Sequence, residues 1–199
     1  MNNKQSRILN IITFLAFTIL GIYKNEVTVF YIIYLFWMEA FVRQLIELSY
    51  IIRRDSKLFS SISVAWPAFF MMIIYVVFII VLFGFIPFSA GKDSETFLIN
   101  VKTLMFKNIF FNLSVLVYII QYILYIYVNG FKEKTIIPFN RNHIILHISI
   151  ILGAVIQLTP IVSFVKPKEL INILSIIPFL ILKIILDKGF KSKGESILV

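Results

Sequence analysis

Apolar residues along this 199-residue chain gather into six long runs, at 8–23, 27–52, 62–88, 109–128, 143–165 and 170–187, separated by short polar segments. A helix needs about 20 mostly apolar residues to cross the hydrocarbon layer of a bilayer, whereas a barrel strand needs about 9–11 in strict apolar/polar alternation. The runs are too long for such strands and do not alternate. The pattern therefore predicts an all-α membrane protein, a single bundle of six transmembrane helices over 1–199. Lys4 and Arg7 precede the first run, as in a secretory leader. That run ends in Gly21-Ile22-Tyr23-Lys24-Asn25-Glu26 without a small-x-small cleavage pattern, so it is read as a retained span.

Lys and Arg are held on the cytoplasmic side of spans. With alternate loops assigned to opposite sides, 11 basic residues fall on one side and 6 on the other, with Arg43 and Lys183 inside spans. The richer side holds Lys4, Arg7, Arg53, Arg54, Lys57, Lys132, Lys134, Arg141, Lys188, Lys191 and Lys193. Both ends of the sequence are therefore expected in the cytoplasm, in a bacterial cytoplasmic (inner) membrane.

Composition sharpens this reading. Sixty per cent of the residues are apolar, 15% are charged and cysteine is absent. A soluble domain carries about 45–50% apolar and about 25% charged residues. The absence of cysteine excludes a disulfide scaffold and a thiolate metal site. The net charge of +9 suits contact with anionic lipid. No loop is long enough to form a basic nucleic-acid-binding domain; the longest, 89–108, is read as a loop of about 20 residues. The expected partners are the lipid bilayer and either a second copy or another membrane protein. No nucleic acid, cofactor or metal is expected.

Ionisable groups inside a span are expensive and normally face the bundle interior in pairs. Glu39, Arg43 and Glu47 follow one another at i, i+4 and i+8, within an arc of about 80° on one helix face. At 1.5 Å per residue from a boundary near Tyr50, they lie about 16, 10 and 5 Å deep. Lys183 and Asp187 repeat the i, i+4 spacing in the last span, with Lys183 about 7 Å deep on the same side. These five residues form the predicted buried charge network.

His143 and His147 also stand four apart, but Ile144 occupies the place of the zincin glutamate, so no zinc motif results. His143 is expected at the interface and His147 in an internal hydrogen bond. Asn112, Tyr118, Tyr122 and Tyr125 form a stripe at helical spacing, and His147, Asn112 and Gln121 are candidates for a polar lining. Gly153-Ala154 marks a close-packing face, with Gln157 one turn on. Pro160 and Pro178 are positions for kinks.

The segments Tyr34-Leu35-Phe36-Trp37-Met38-Glu39, Arg141 through His147 to Gly153, and Leu182-Lys183-Ile184-Ile185-Leu186-Asp187 resemble an uncharacterised family of prokaryotic multi-pass membrane proteins, catalogued as a domain of unknown function. The resemblance implies that Glu39, Lys183 and Asp187 are signature positions, and it implies no activity. Three function classes stay open. The first is a non-catalytic accessory or interaction protein. The second is a small transporter or channel for a proton, ion or small solute, using Glu39 and Arg43. The third is an intramembrane enzyme with Glu39 and His147 as its acid and base.

Overall fold

The computed structural model describes residues 3–54, 58–85, 94–129, 141–158 and 168–189. All of the regular structure among them is helical: α1 (Asn3–Tyr23), α2 (Val29–Arg54), α3 (Leu58–Ile79, running on into a π-helical segment, Ile80–Phe85), α4 (Ser94–Leu104), α5 (Ile109–Asn129), α6 (Arg141–Leu158) and α7 (Lys168–Gly189). Three stretches are long and apolar enough to cross a membrane: Val29–Arg53, Ala65–Gly84 and Ser94–Val128, the last of which is bent between α4 and α5. Ile11–Tyr23, Leu146–Val155 and Leu174–Ile184 are apolar helices of shorter extent.

α2 is the hub. Its residues 30–38 are all buried, as expected of a helical segment that is apolar all round. It packs against α3, α5, α6 and α7, while α1 lies along α5 and reaches α7. α3 buries Ala65, Ala68, Met72, Tyr75 and Ile79, spaced three or four apart, and turns Trp66, Phe70, Ile73 and Val77 outward. That exposed apolar face suits lipid, since large apolar patches on a protein in water are rare. Phe30, Tyr34, Trp37 and Phe41 form a stacked file along one face of α2, with centroid separations of 5.5, 5.6 and 5.0 Å. Phe111 of α5 stacks on Tyr34 at 5.1 Å, and each such contact contributes about 0.5–1.5 kcal/mol beyond its burial. The Trp37 indole N–H donates to the Met72 carbonyl at 2.8 Å, joining α2 to α3.

The loop expected at 89–108 contains a helix, α4. Its signals are local: Ser94 and Glu95 open the first turn and Lys102 lies in the last, matching the helix dipole. At 11 residues α4 is too short to stand out as a membrane-length apolar run.

α1 and α4 end in the same way. Asn25 and Phe106 each take a left-handed conformation with φ 55°. Glu26 N–H reaches back to Gly21 O at 2.8 Å, and Lys107 N–H to Lys102 O at 2.7 Å, the long bond of a Schellman turn. Each turn feeds a capped helix. Thr28 Oγ1 accepts from Tyr31 N–H at 3.2 Å, and Asn108 Oδ1 accepts from Phe111 N–H at 3.1 Å. The two turns are tied together, because the Asn108 amide also donates to Glu26 O at 2.8 Å. Asn100 of α4 completes this end by accepting from Thr28 Oγ1 at 2.6 Å and donating to the Phe83 carbonyl of the π-helical segment at 3.1 Å.

Asn108→Ala removes the α5 cap and leaves the Glu26 carbonyl without its donor, so a loss of about 2 kcal/mol is expected. Asn108→Asp keeps the capping oxygen and loses the donor, and should fall between the two. Thermal unfolding in detergent checks this order.

Candidate functional site

Glu39, Arg43 and Glu47 of α2 enter two ion pairs, one across to α7 and one along α2 itself. Glu39 is ion-paired with Lys183 of α7, with side-chain exposures of 14% and 6%. The Lys183 ammonium also lies 4.5 Å from the centre of the Phe14 ring and 5.0 Å from that of Phe36, so α1, α2 and α7 all surround it. Aromatic faces replace part of the hydration the ammonium loses. One turn on, Arg43 Nε donates to Glu47 Oε1 at 2.8 Å. The same carboxylate oxygen accepts from the Tyr122 hydroxyl of α5 at 2.6 Å, and the Arg43 guanidinium lies 5.4 Å from the Tyr122 ring centre. Glu47 therefore has two donors, one on its own helix and one across the α2–α5 interface.

The structure thus brings Glu39 to Lys183 and Arg43 to Glu47. Asp187 lies one turn beyond Lys183 on α7, and its side chain is outside the described residues. Its place in the network expected from the i, i+4 spacing is not described.

The histidines exchange the roles expected of them. His143 is 1% exposed, and its Nε2 is 2.9 Å from Gln44 Nε2, a contact within hydrogen-bond distance. His147 is exposed, with its ring set edge-on against Tyr75 at 6.1 Å. The reason is helical phase: His143, Leu146, Ile150 and Gly153 are buried at steps of three and four along α6, and His147 falls off that line. Glu39 meets α7 through Lys183, and His147 meets α3 through Tyr75.

The candidate polar lining is likewise dispersed. Asn112 donates to Phe106 O at 2.7 Å, which closes the α4–α5 turn. Gln121 donates to Thr13 Oγ1 at 3.3 Å across the α1–α5 interface. His147 lies at the α6–α3 contact. Side-chain polarity shows in a sequence, but the interface each group serves depends on helix rotation and neighbour. The tyrosine stripe does exist as a stack, with Tyr118–Tyr122 at 6.0 Å and Tyr122–Tyr125 at 6.3 Å.

The Gln44–His143 contact and the Thr28–Asn100 bond are functional-looking polar contacts that spacing does not reveal, because their partners are 99 and 72 residues apart. Gln44 stands one residue beyond Arg43 and had a visible signal, being an amide in the middle of an apolar run. Among the described residues no group of three or more His, Cys, Asp or Glu side chains is placed to hold a metal ion.

Comparison with known proteins found no matching family model, no matching curated protein and no matching solved structure. Fold and site together define an all-helical protein with three helices long enough and apolar enough to cross a membrane. Glu39 of α2 is paired across to α7, and Arg43 and Glu47 are paired along α2.

Proposed function

We propose that this chain is a six-span integral protein of a bacterial cytoplasmic membrane, with both ends of the sequence in the cytoplasm and a non-catalytic accessory or interaction role. The spans are α1, α2, α3, α5, α6 and α7, and α4 lies at the outer side. Helix lengths support this reading. α1 and α7 have 21 and 22 residues, or about 32 Å at 1.5 Å per residue, against a hydrocarbon layer of about 30 Å. The excess of basic residues on one set of loops supports the orientation.

The observation that carries the accessory reading is the closure of the charge pairs. Glu39 is held by Lys183 from α7, and Glu47 by Arg43 and by Tyr122 from α5. Charges arranged in this way specify which helices neighbour α2, a use of buried ion pairs that serves specificity more than stability. Glu39 and Lys183, from two of the segments that carry the resemblance, are then the two halves of one clamp.

Two measurements test the proposal. Reporter fusions at the C-terminal end should give a fluorescent cytoplasmic reporter and an inactive periplasmic phosphatase; the reverse result overturns the orientation. Proteoliposomes under an imposed pH gradient should dissipate it no faster than empty vesicles. A proton flux lost on Glu39→Gln, in a protein that still folds, would replace the clamp with the transporter alternative.

A further inference from the structure

α4 is amphipathic in the opposite sense to a helix on the surface of a protein in water. Its inward side is polar. Asn100 is 4% exposed and is bonded to Thr28 and to the Phe83 carbonyl. Thr103 is 0% exposed, and its hydroxyl donates to Ile99 O at 2.9 Å and accepts from the Asn108 amide at 3.5 Å. The outward side carries Leu98, 53% exposed, and Met105, 60% exposed. These two stand seven residues apart, so they share one line along the helix, with Asn100 and Thr103 about 160° and 140° away. Lys102 and Glu95, both exposed, flank that line about 40° and 60° to one side. The Asn100 bonds to α2 and to the π-helical segment fix which face of α4 is outward.

The length of α4 and its place in the chain say what meets that face. Eleven residues make a helix of about 16 Å, too short to cross a hydrocarbon layer of about 30 Å. Yet α4 belongs to the same apolar stretch as α5, Ser94–Val128. Met105 and Phe106 enter the turn exposed and Ile109 leaves it exposed, with Lys107 between them. Ile109 then begins the exposed stripe of α5, which continues through Leu113, Leu116 and Ile120 at steps of four, three and four. An apolar face continuous with the outer stripe of a span meets the phase that surrounds the span. Polar groups turned inward and apolar groups turned outward suit acyl chains and not water. Lys102 fits the same place, since its four-carbon stem can lie along apolar surface while the ammonium reaches the headgroups.

We infer that α4 is an interfacial helix whose Leu98–Met105 face rests on phospholipid acyl chains just beneath the headgroup layer, with Lys102 at the level of the phosphates. The inference rests on the membrane-spanning reading, and the leaflet is the outer one in the proposed orientation.

The chain has no cysteine, so Leu98→Cys, Met105→Cys and Leu116→Cys each give a single site for a spin label in the full-length protein. The three positions are exposed, so the label displaces no packing. The labelled chains are placed in vesicles of phosphatidylethanolamine and phosphatidylglycerol. Relaxation of each label is then compared for oxygen, which concentrates among acyl chains, and for a water-soluble nickel chelate. Oxygen should exceed the chelate severalfold at Leu116, and by a smaller factor at Leu98 and Met105, nearer the headgroups. An excess of the chelate at Leu98 and Met105, with oxygen still dominant at Leu116, overturns this inference alone. An excess of the chelate at all three overturns the membrane-spanning reading as well. Poor access of both reagents to Leu98 and Met105 would mean that a protein, a second copy included, covers the face, and also overturns the inference. The unlabelled wild-type chain gives a second readout. An apolar diazirine dissolved in the bilayer and photolysed should modify Leu98 and Met105 as well as the α5 stripe; modification confined to α5 overturns the inference.

Discussion

Lys183→Met should cost about 3–5 kcal/mol of stability, the range found when one partner of a buried ion pair is removed. The methionine fills much the same volume, so the loss is electrostatic. Glu39 keeps its place in an interface that Phe14 and Phe36 make largely apolar, and it loses its cation. The decisive measurement is a double-mutant cycle in detergent. Glu39→Gln/Lys183→Met should recover most of the loss, because two neutral side chains leave no charge stranded. If the double variant is as unstable as the single one, Lys183 acts through packing against its two aromatic rings. The charge-reversed pair, Glu39→Lys with Lys183→Glu, should do worse than the neutral pair, because the reversed cation no longer lies over Phe14 and Phe36.

Gly153→Val is the second large effect. A Cβ built on Gly153 would lie 2.7 Å from Ile33 Cδ1 and 2.7 and 2.8 Å from the edge of the Phe83 ring. Ile33 and Phe83 are both 0% exposed, so neither can move aside into open space. Overpacking of this kind costs about 1–3 kcal/mol for a single added methyl, and the two further methyls of valine should take the loss beyond that range. Gly153→Ala gives the lower value. Combining it with Ile33→Val, which shortens the side chain in the way, should restore part of the stability. Unfolding temperatures of the three variants in one detergent check the order. An unchanged Gly153→Val would mean that α6 sits farther from α2 than the described packing.

Much of this architecture follows from local pattern. The helices were legible because each apolar run is internally consistent and because charges and turn residues interrupt them. The single face bearing Glu39, Arg43 and Glu47 was legible because helical periodicity needs no tertiary information. The pairing of Glu39 with Lys183 was not legible, because depth counted along each helix put Lys183 level with Arg43 and Glu47, and the tilt and offset between α2 and α7 that bring it to Glu39 are tertiary. What failed was rotation about a helix axis. His143 and His147 differ in sequence by four positions and in burial by whether they continue the line through Leu146, Ile150 and Gly153. That phase is set by contact with α2, which no reading of α6 alone contains. Asn112 and Gln121 were legible as polar and illegible as partners, because one bonds to a turn six residues back and the other to a helix 108 residues away. α4 was illegible for a different reason, since its helix signals are ordinary and short beside the long apolar runs.

Lys183 is synthesised 144 residues after Glu39. At about 5–20 residues per second, the carboxylate emerges roughly 7–30 s before its cation exists. Arg43 and Glu47 neutralise each other on the helix that carries them, so on the proposed membrane-spanning reading α2 inserts before Lys183, the cation paired with Glu39, has been made. On that reading a chain released before α7 is made lacks the Lys183 ammonium that pairs with Glu39.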